Sequence, residues 1–495
     1  MCHNDHSIQP YHESKNVKAL FNCRSLTPQF SPVWEESPYL LPICNKPLIE
    51  YWLDLCVWLN IKEALVVEYD ALNLAPYTNR QEEWGLQLTV VPGDADEVLT
   101  DLLLRFQHFL QDDLLFVDGM MFPFYDHKTI KPVRLKQEDN LIYNLETGHF
   151  GFEETALMFP QQTLKNLVGP MDDNTRFYQW THVQREQHPD LNFKMVRPRN
   201  LLEFMQLSLK VLHQHSQFSL KGFEVAPGVF EGLNNDIVAR PHLKGPLLTG
   251  NSCRISAEAD LEHVILGNQV RLEGNTQLKQ CLVYGPVYLG NIQLKNTLIW
   301  EGESLNPMTG ERSALPLQYQ LKQCLEDPEQ REVLYAQEAE DLKQLLRWRK
   351  PLFQALQWHV PFQLKKYYIN AMGETLTLPV YECPENPTPL QRLFFHWHLQ
   401  WVPFFQAVQE QRLLLVGTRL LPAEQEQLAY ISRLPVYAPG VFSHSPEVTT
   451  ESLTHWMEEL HFCSQFTLAM RRQILARYFP RFASEASVSS ASSDS

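Results

Sequence analysis

Between Asn16 and Leu59 the sequence contains no glycine. A phosphate-wrapping loop needs glycines, because only a residue without Cβ lets the backbone approach the phosphates closely. Cysteine pairs are missing too. Nine cysteines lie scattered at 2, 23, 44, 56, 253, 281, 324, 383 and 463, an odd number with no CxxC. That excludes a regular disulfide framework and a spaced zinc site, and it suits a reducing compartment. His3, His6 and His12 beside Cys2 have no metal-ligand spacing. Positive charge is scarce: 42 basic residues face 58 acidic ones, for a formal charge of −16. A nucleic-acid surface needs a basic stripe, so none is expected. No apolar run has the charged start and cleavage site of a signal peptide. The richest one, LFFHWHLQWVPFFQAV (Leu393 to Val408), is too short and polar to span a bilayer. It reads as a core helix broken at Pro403. A cytoplasmic protein without a membrane span is expected.

What is present is a folding composition, 44% hydrophobic over 495 residues, enough for two to four domains. Residues 1–15 and the tail 481–495 (SEASVSSASSDS and its neighbours) read as loose. Over 16–220, apolar strands at VKALF (Val17 to Phe21), Ala64 to Val67, LQLTVV (Leu86 to Val91) and DLLFVDG (Asp113 to Gly119) alternate with helical patterns. One helix begins at Pro47 and carries Leu48, Trp52, Leu55 and Leu59 on one face. Another is RPRNLLEFMQLSLKVL (Arg197 to Leu212). Such alternation predicts a doubly wound α/β domain.

Over 221–303 the texture changes to short apolar hits separated by Gly, Asn and Pro. Gly232, Gly250, Gly267 and Gly290 recur at steps of 18, 17 and 23 residues, equivalent to three hexapeptides per coil with one enlarged turn. Ile255 to Leu261, Leu266 to Leu272 to Leu278, and Val283 to Leu289 all step by six. This period predicts a short left-handed parallel β-helix, in which Leu266 and Leu272 point inward while Gln269 and Arg271 point outward. A plain antiparallel sheet with glycine turns is the competing architecture. Residues 304–480 read as a third, mixed and helix-rich region of no evident family.

The pieces YLLPICNKPLIEYWLD, NIKEALVV, DDLLFVDG and NLLEFMQLSLKVL, followed by hexapeptide coils, resemble the nucleoside-diphosphate-sugar pyrophosphorylases. The resemblance covers roughly 16–303. It implies a sugar-1-phosphate nucleotidyltransferase scaffold whose chemistry needs cationic groups, backbone N–H groups and Mg²⁺ to offset phosphate charge. The parts that family uses are altered here. Its GGxGTRLxPLT loop corresponds to a run with Asn22, Cys23, Arg24 and Ser25, and its signature lysine aligns with Pro38. Its metal-binding aspartate of a GD pair aligns with Met120, while Asp118 precedes the glycine instead. Its EKP motif is not visible; the nearest candidate surrounds Glu146 and has no lysine.

The resemblance therefore implies a catalytically inactive relative with a regulatory or scaffolding role in nucleotide-sugar or polysaccharide-precursor synthesis. Arg24, Lys46, Asp94 and Asp118 are the candidate ligand-binding residues, with no catalytic residue or metal ligand assigned. Its partners would be a nucleotide sugar, a second copy, or an active nucleotidyltransferase. Two alternatives stay open. One is an active, Mg²⁺-dependent sugar-1-phosphate nucleotidyltransferase using Arg24, Lys46 and Asp118. The other is a hexapeptide acyltransferase with His242 or His263 as base. VGTRLLP (Val416 to Pro422) copies part of the missing loop far downstream, and is read as coincidence. Asp94, Asp96 and Glu97 in PGDADEV lie where the family reads its base and sugar, or else start a solvated helix.

Overall fold

The apolar run VKALF forms strand β1 (Val17–Asn22), which needs cover on both faces and neighbours on both edges. In the computed structural model, the residues described are 16–24, 37–69, 71–94, 97, 99–132, 135, 142–145, 156–161, 185–186, 193–237, 242–317, 319–369, 374–444 and 452–480. Ser25, Asp96, Glu146, the N-terminal 1–15 and the tail 481–495 lie outside them. The chain divides into two units. The first comprises Met1–Val270, Gln277–Gly285 and Gln293–Leu315; the second comprises Arg271–Thr276, Pro286–Ile292 and Pro316–Ser495.

In the first unit, β1 is joined in one sheet by β2 (Glu63–Glu68), β3 (Gln87–Pro92), β4 (Asp113–Asp118), β5 (Ile142–Asn144), β6 (Ala156–Phe159) and β7 (Arg185–Glu186). Their order is β7-β5-β6-β4-β1-β2-β3. β1 pairs in parallel with both β2 and β4, and β3 extends the parallel part from β2. The chain runs outward from β1 through α1 (Leu48–Trp58), β2, α2 (Ala71–Asn79) and β3. It then returns to the other flank of β1 as β4. That reversal sets a topological switch between the C-terminal ends of β1 and β4, where Asn22 and Asp118 are register partners.

Helix α1 supplies the main core face. Leu48, Trp52, Leu55 and Leu59 are all buried, the Phe21 and Trp52 rings lie 5.0 Å apart, and Trp52 Nε1 donates to the Met121 carbonyl at 2.9 Å. Helix α4 (Leu201–His213, following α3, Leu99–Arg105) starts at Asn200, whose side chain accepts from Glu203 N and so satisfies an otherwise orphaned donor.

Further along, β8 (His242–Thr249), β9 (Asp260–Leu266), β10 (Gln277–Lys279), β11 (Leu282–Tyr284), β12 (Gln293–Lys295) and β13 (Leu298–Trp300) pair in parallel ladders. Leu243, Leu261, Leu278 and Leu294 fall into one column, in steps of 18, 17 and 16 residues. Thr249, Leu266, Val283 and Ile299 form a second column. A third, Leu248, Ile265, Leu282 and Leu298, joins the core of the α/β sheet.

The enlarged 23-residue turn does not occur. Gly232 abuts Gly250, Gly250 abuts Gly267, and Gly267 abuts Tyr284, not Gly290. Tyr284 can take the glycine's place because its ring turns toward Phe204 and Trp300 and its hydroxyl donates to the Pro42 carbonyl at 2.9 Å.

The second unit is helix-rich. Its elements are α5 (Gln320–Glu326), α6 (Pro328–Leu356), the hairpin β14 (Phe362–Tyr368) and β15 (Thr375–Tyr381), α7 (Pro389–His396), α8 (Val402–Gln409), β16 (Leu414–Val416), α9 (Gln425–Ser432), β17 (Gly440–Phe442), α10 (Ser452–Gln465) and α11 (Leu468–Tyr478). Pro403 breaks nothing: the chain already turns at His398, φ 57°, and Pro403 sits in the first turn of α8, where it costs no hydrogen bond.

Arg471, 0% exposed, ties α11 to α6. Its Nη1 donates to Asp341 Oδ2 at 2.5 Å and its Nε lies 3.9 Å from Glu338 Oε1. Glu338 Oε1 in turn accepts from Leu415 N at 2.7 Å, linking β16. Arg271, expected to face outward, is instead buried. It is held by Glu273 at 2.8 Å and by Glu458 of α10 at 2.9 Å.

Buried acids make this unit sensitive to pH. Burial pushes Glu338 up to about 7 and Glu459 up to about 8. Both keep a proton in the fold after the unfolded chain has lost it. Their contribution is therefore full below about 4.5 and is lost as pH rises through 7 and 8, at about 1.4 kcal/mol per pH unit per group. Other groups act in the opposite sense, among them His398, which burial lowers. His461 is pushed down to about 4 by burial, so its contribution is lost as pH falls from 6.5 to 4. Glu458, held at about 2 by the His444 hydrogen bond, loses its contribution between 4.5 and 2. The urea midpoint of this unit is expected to peak near pH 5 and to fall toward pH 8. A midpoint that is flat or rising from pH 5 to pH 8 would contradict the assignment.

Candidate functional site

Ligands of open α/β sheets bind beyond the carboxyl ends of the strands at a switch point, so the rim above β1 and β4 is the place to look. It is polar, and its polar groups are engaged with one another. Asn22, at the end of β1, donates from Nδ2 to Asp118 Oδ1 at 2.6 Å, and its Oδ1 accepts from Arg24 Nε at 2.8 Å. Arg24 then reaches across to the loop after β3. Its Nη1 donates to the carbonyls of Asp94 at 2.6 Å and Glu97 at 3.0 Å, and lies 3.4 Å from Glu97 Oε2. Gly93 makes room for this reach, since a Cβ there would lie 2.5 Å from Arg24 Cδ. Asn22, Arg24 and Asp118 are all buried.

Around this chain of bonds the rim is closed by other residues. Ser37 Oγ donates to Glu68 Oε2 at 2.7 Å, and the Tyr39 hydroxyl donates to the Gly119 carbonyl. The Cys23 thiol, buried between Glu68 and Asp118, is pushed well above its ordinary range by burial first and by those two carboxylates second. It is no nucleophile at neutral pH. Met120, the residue after the strand-end glycine Gly119, is buried and apolar.

Three of the four candidate residues therefore meet at the rim, with Asp94 contributing its carbonyl. The fourth does not join them. Lys46 pairs with Asp54 of α1, donates to the Ser219 carbonyl at 3.0 Å, and sits 4.6 Å from the Tyr51 ring centroid. Its work is to fasten α1. Asn22 was not among the candidates, although a strand ending in a hydrogen-bonding side chain beside a switch point is a signal that could have found it.

Magnesium takes near-octahedral oxygen ligands, usually one or two carboxylates completed by waters and substrate phosphates. Here Asp118 shares an oxygen with Asn22 and Glu68 accepts from Ser37. Among the described residues no cluster of three or more His, Cys, Asp or Glu side chains has the geometry to hold a metal ion. The donor set does not fit that ion.

The downstream GTR sequence cannot substitute for the missing loop. Gly417 N donates to the Phe442 carbonyl, Thr418 N to the Ala438 carbonyl, and Arg419 N to Glu459 Oε1. With these donors spent, no phosphate can be cradled. Gly417 serves packing instead: a Cβ on it would lie 2.2 Å from the Ala438 carbonyl oxygen. As for the histidines, His242 is exposed on β8, and His263 on β9 packs against His213 with ring centroids 4.3 Å apart and planes tilted by 46°.

A scan against protein-family models finds no match, and a search of curated proteins finds none either. No helix among the described residues is long and apolar enough to cross a membrane.

Proposed function

We propose that this chain is a nucleotidyltransferase-like protein that no longer transfers nucleotides. It would regulate or scaffold nucleotide-sugar or polysaccharide-precursor synthesis in the cytoplasm. The observation that carries the reading is the rim itself. Arg24, the cation nearest the lost phosphate loop, is consumed by two backbone carbonyls and Asn22. Asp118, the acid nearest in sequence to the family's metal position, is engaged by Asn22. A group already hydrogen-bonded in a buried network must break those bonds to meet a phosphate or a metal, and each lost bond to a charged group costs about 1.5–3 kcal/mol.

The sheet order with its switch point, followed by parallel ladders at near-constant steps, supports the proposed architecture of a doubly wound domain leading into a left-handed β-helix. A solenoid of few coils has open ends. A second copy, or an active nucleotidyltransferase, is the partner we propose for one of them, with a nucleotide sugar as the small ligand.

Purified protein given each nucleoside triphosphate, a sugar-1-phosphate and Mg²⁺ is expected to release no pyrophosphate above background. Turnover that vanishes in Asp118→Ala would overturn this reading in favour of an active enzyme. Thermal-shift titration with nucleotide sugars tests the ligand separately from catalysis.

A further inference from the structure

In the second unit an open cleft of about 230 Å³ lies against one stripe of α6. Tyr335, Glu338, Ala339 and Leu342 come from that helix, and Gln409 and Gln411 from the end of α8 and the turn after it. Ligand pockets of drug size run to ~300–1,000 Å³, so this one suits something smaller than a nucleotide sugar. Its distinguishing feature is charge. Glu338, only 3% exposed, lines the cleft, and among the described residues no cationic side chain does.

The charged groups facing Glu338 are few. Asp341 lies one turn along on α6, and Arg471 comes from α11; β16 offers the Leu415 and Val416 amides. Arg471 gives its hydrogen bond to Asp341 and stands 3.9 Å from Glu338. Two carboxylates thus share one guanidinium, and the buried group is one positive charge short. An unbalanced buried charge must neutralise itself or find a counter-ion.

We propose that this cleft binds a small organic monocation, a primary ammonium or guanidinium on a short apolar stem, whose charge balances the Glu338 carboxylate. The carbonyl oxygens of Gln409 and Gln411 and the Tyr335 hydroxyl supply acceptors for the remaining N–H groups. Ala339 and Leu342 cover the stem. Because burial raises Glu338 to about 7, a proton and the cation compete for the same carboxylate. Binding therefore releases a proton and strengthens with pH.

The test is titration of the full chain with n-butylammonium chloride at matched ionic strength, with 1-butanol and sodium chloride as controls. Butylammonium is expected to give saturable stabilisation at pH 8, about tenfold weaker at pH 6, and the controls none. Glu338→Gln keeps an acceptor for Leu415 N and is expected to abolish binding. Ala339→Phe keeps the carboxylate but fills the cleft, and is expected to abolish it as well. No saturable binding at pH 8, equal binding of butanol, or binding that survives either substitution would overturn the proposal. If Glu338→Gln fails to fold, the Ala339→Phe result decides alone.

Discussion

Replacing Arg471 by alanine is expected to destabilise the second unit by about 3–5 kcal/mol, the range seen when one partner of a buried ion pair is removed. The side chain is wholly buried between α6 and α11, and among the described residues its guanidinium is the cation paired with Asp341 and Glu338. Alanine would leave two carboxylates in the core with no counter-charge, and a cavity where the long stem packed. Glu338→Gln should be far milder, because Glu338 is already half protonated near neutral pH and glutamine can still accept from Leu415 N. Urea unfolding of the two variants at pH 7 separates charge from packing. A cost below about 1 kcal/mol for Arg471→Ala would mean that the triad is not what joins these helices. Substituting all three residues by apolar ones of similar volume should restore much of the loss, since a well-packed apolar core often equals a buried ion pair.

The parts legible in the sequence are those whose partners lie close in the chain or repeat at a fixed step. VKALF, ALVV and DLLFVD are dominated by apolar residues and form the parallel strands β1, β2 and β4. The six-residue step places Leu261, Leu266, Leu272, Leu278 and Leu289 in buried positions. What the step could not reveal is which residues gain distant partners. Arg271 sits at an outward position by period, yet Glu458 arrives to pair with it from 187 residues away. Gly290 looked like one more turn glycine, but Tyr284 holds that place because its ring has a core to enter.

The candidate site divides in the same way. Arg24 and Asp118 were visible as charges at strand ends, whereas their mutual satisfaction through Asn22 depends on the β1–β4 register. Lys46 stood out as a surviving lysine of NKP, and its partner Asp54 is only two helical turns further on. That i to i+8 relation could have marked it as structural from the sequence. β17 was hidden, and with it its parallel pairing to β16, because it has only three residues, too few to show a period.

Leu266→Asp is expected to be among the most damaging single changes in the first unit. Leu266 is fully buried in the column Thr249, Leu266, Val283 and Ile299. Its carbonyl accepts from Gly250 N and Asn45 Nδ2, both at 2.7 Å, so its backbone cannot shift to bring a carboxylate to water. The variant must therefore bury a charge or protonate the new acid, and it also loses a leucine's worth of apolar burial, ~1.5–3 kcal/mol on its own. A total of about 4 kcal/mol or more follows. Gln269→Glu provides the contrast. That side chain is exposed, three residues along the same coil, and the change should stay within about 0.5 kcal/mol. Urea denaturation of both variants, with hydrogen exchange read on the amides of Asp260–Leu266 and Leu282–Tyr284, tests the inward column directly. Equal losses at the two positions would show that no distinct inside exists, and the stacked ladders would then need another source of stability.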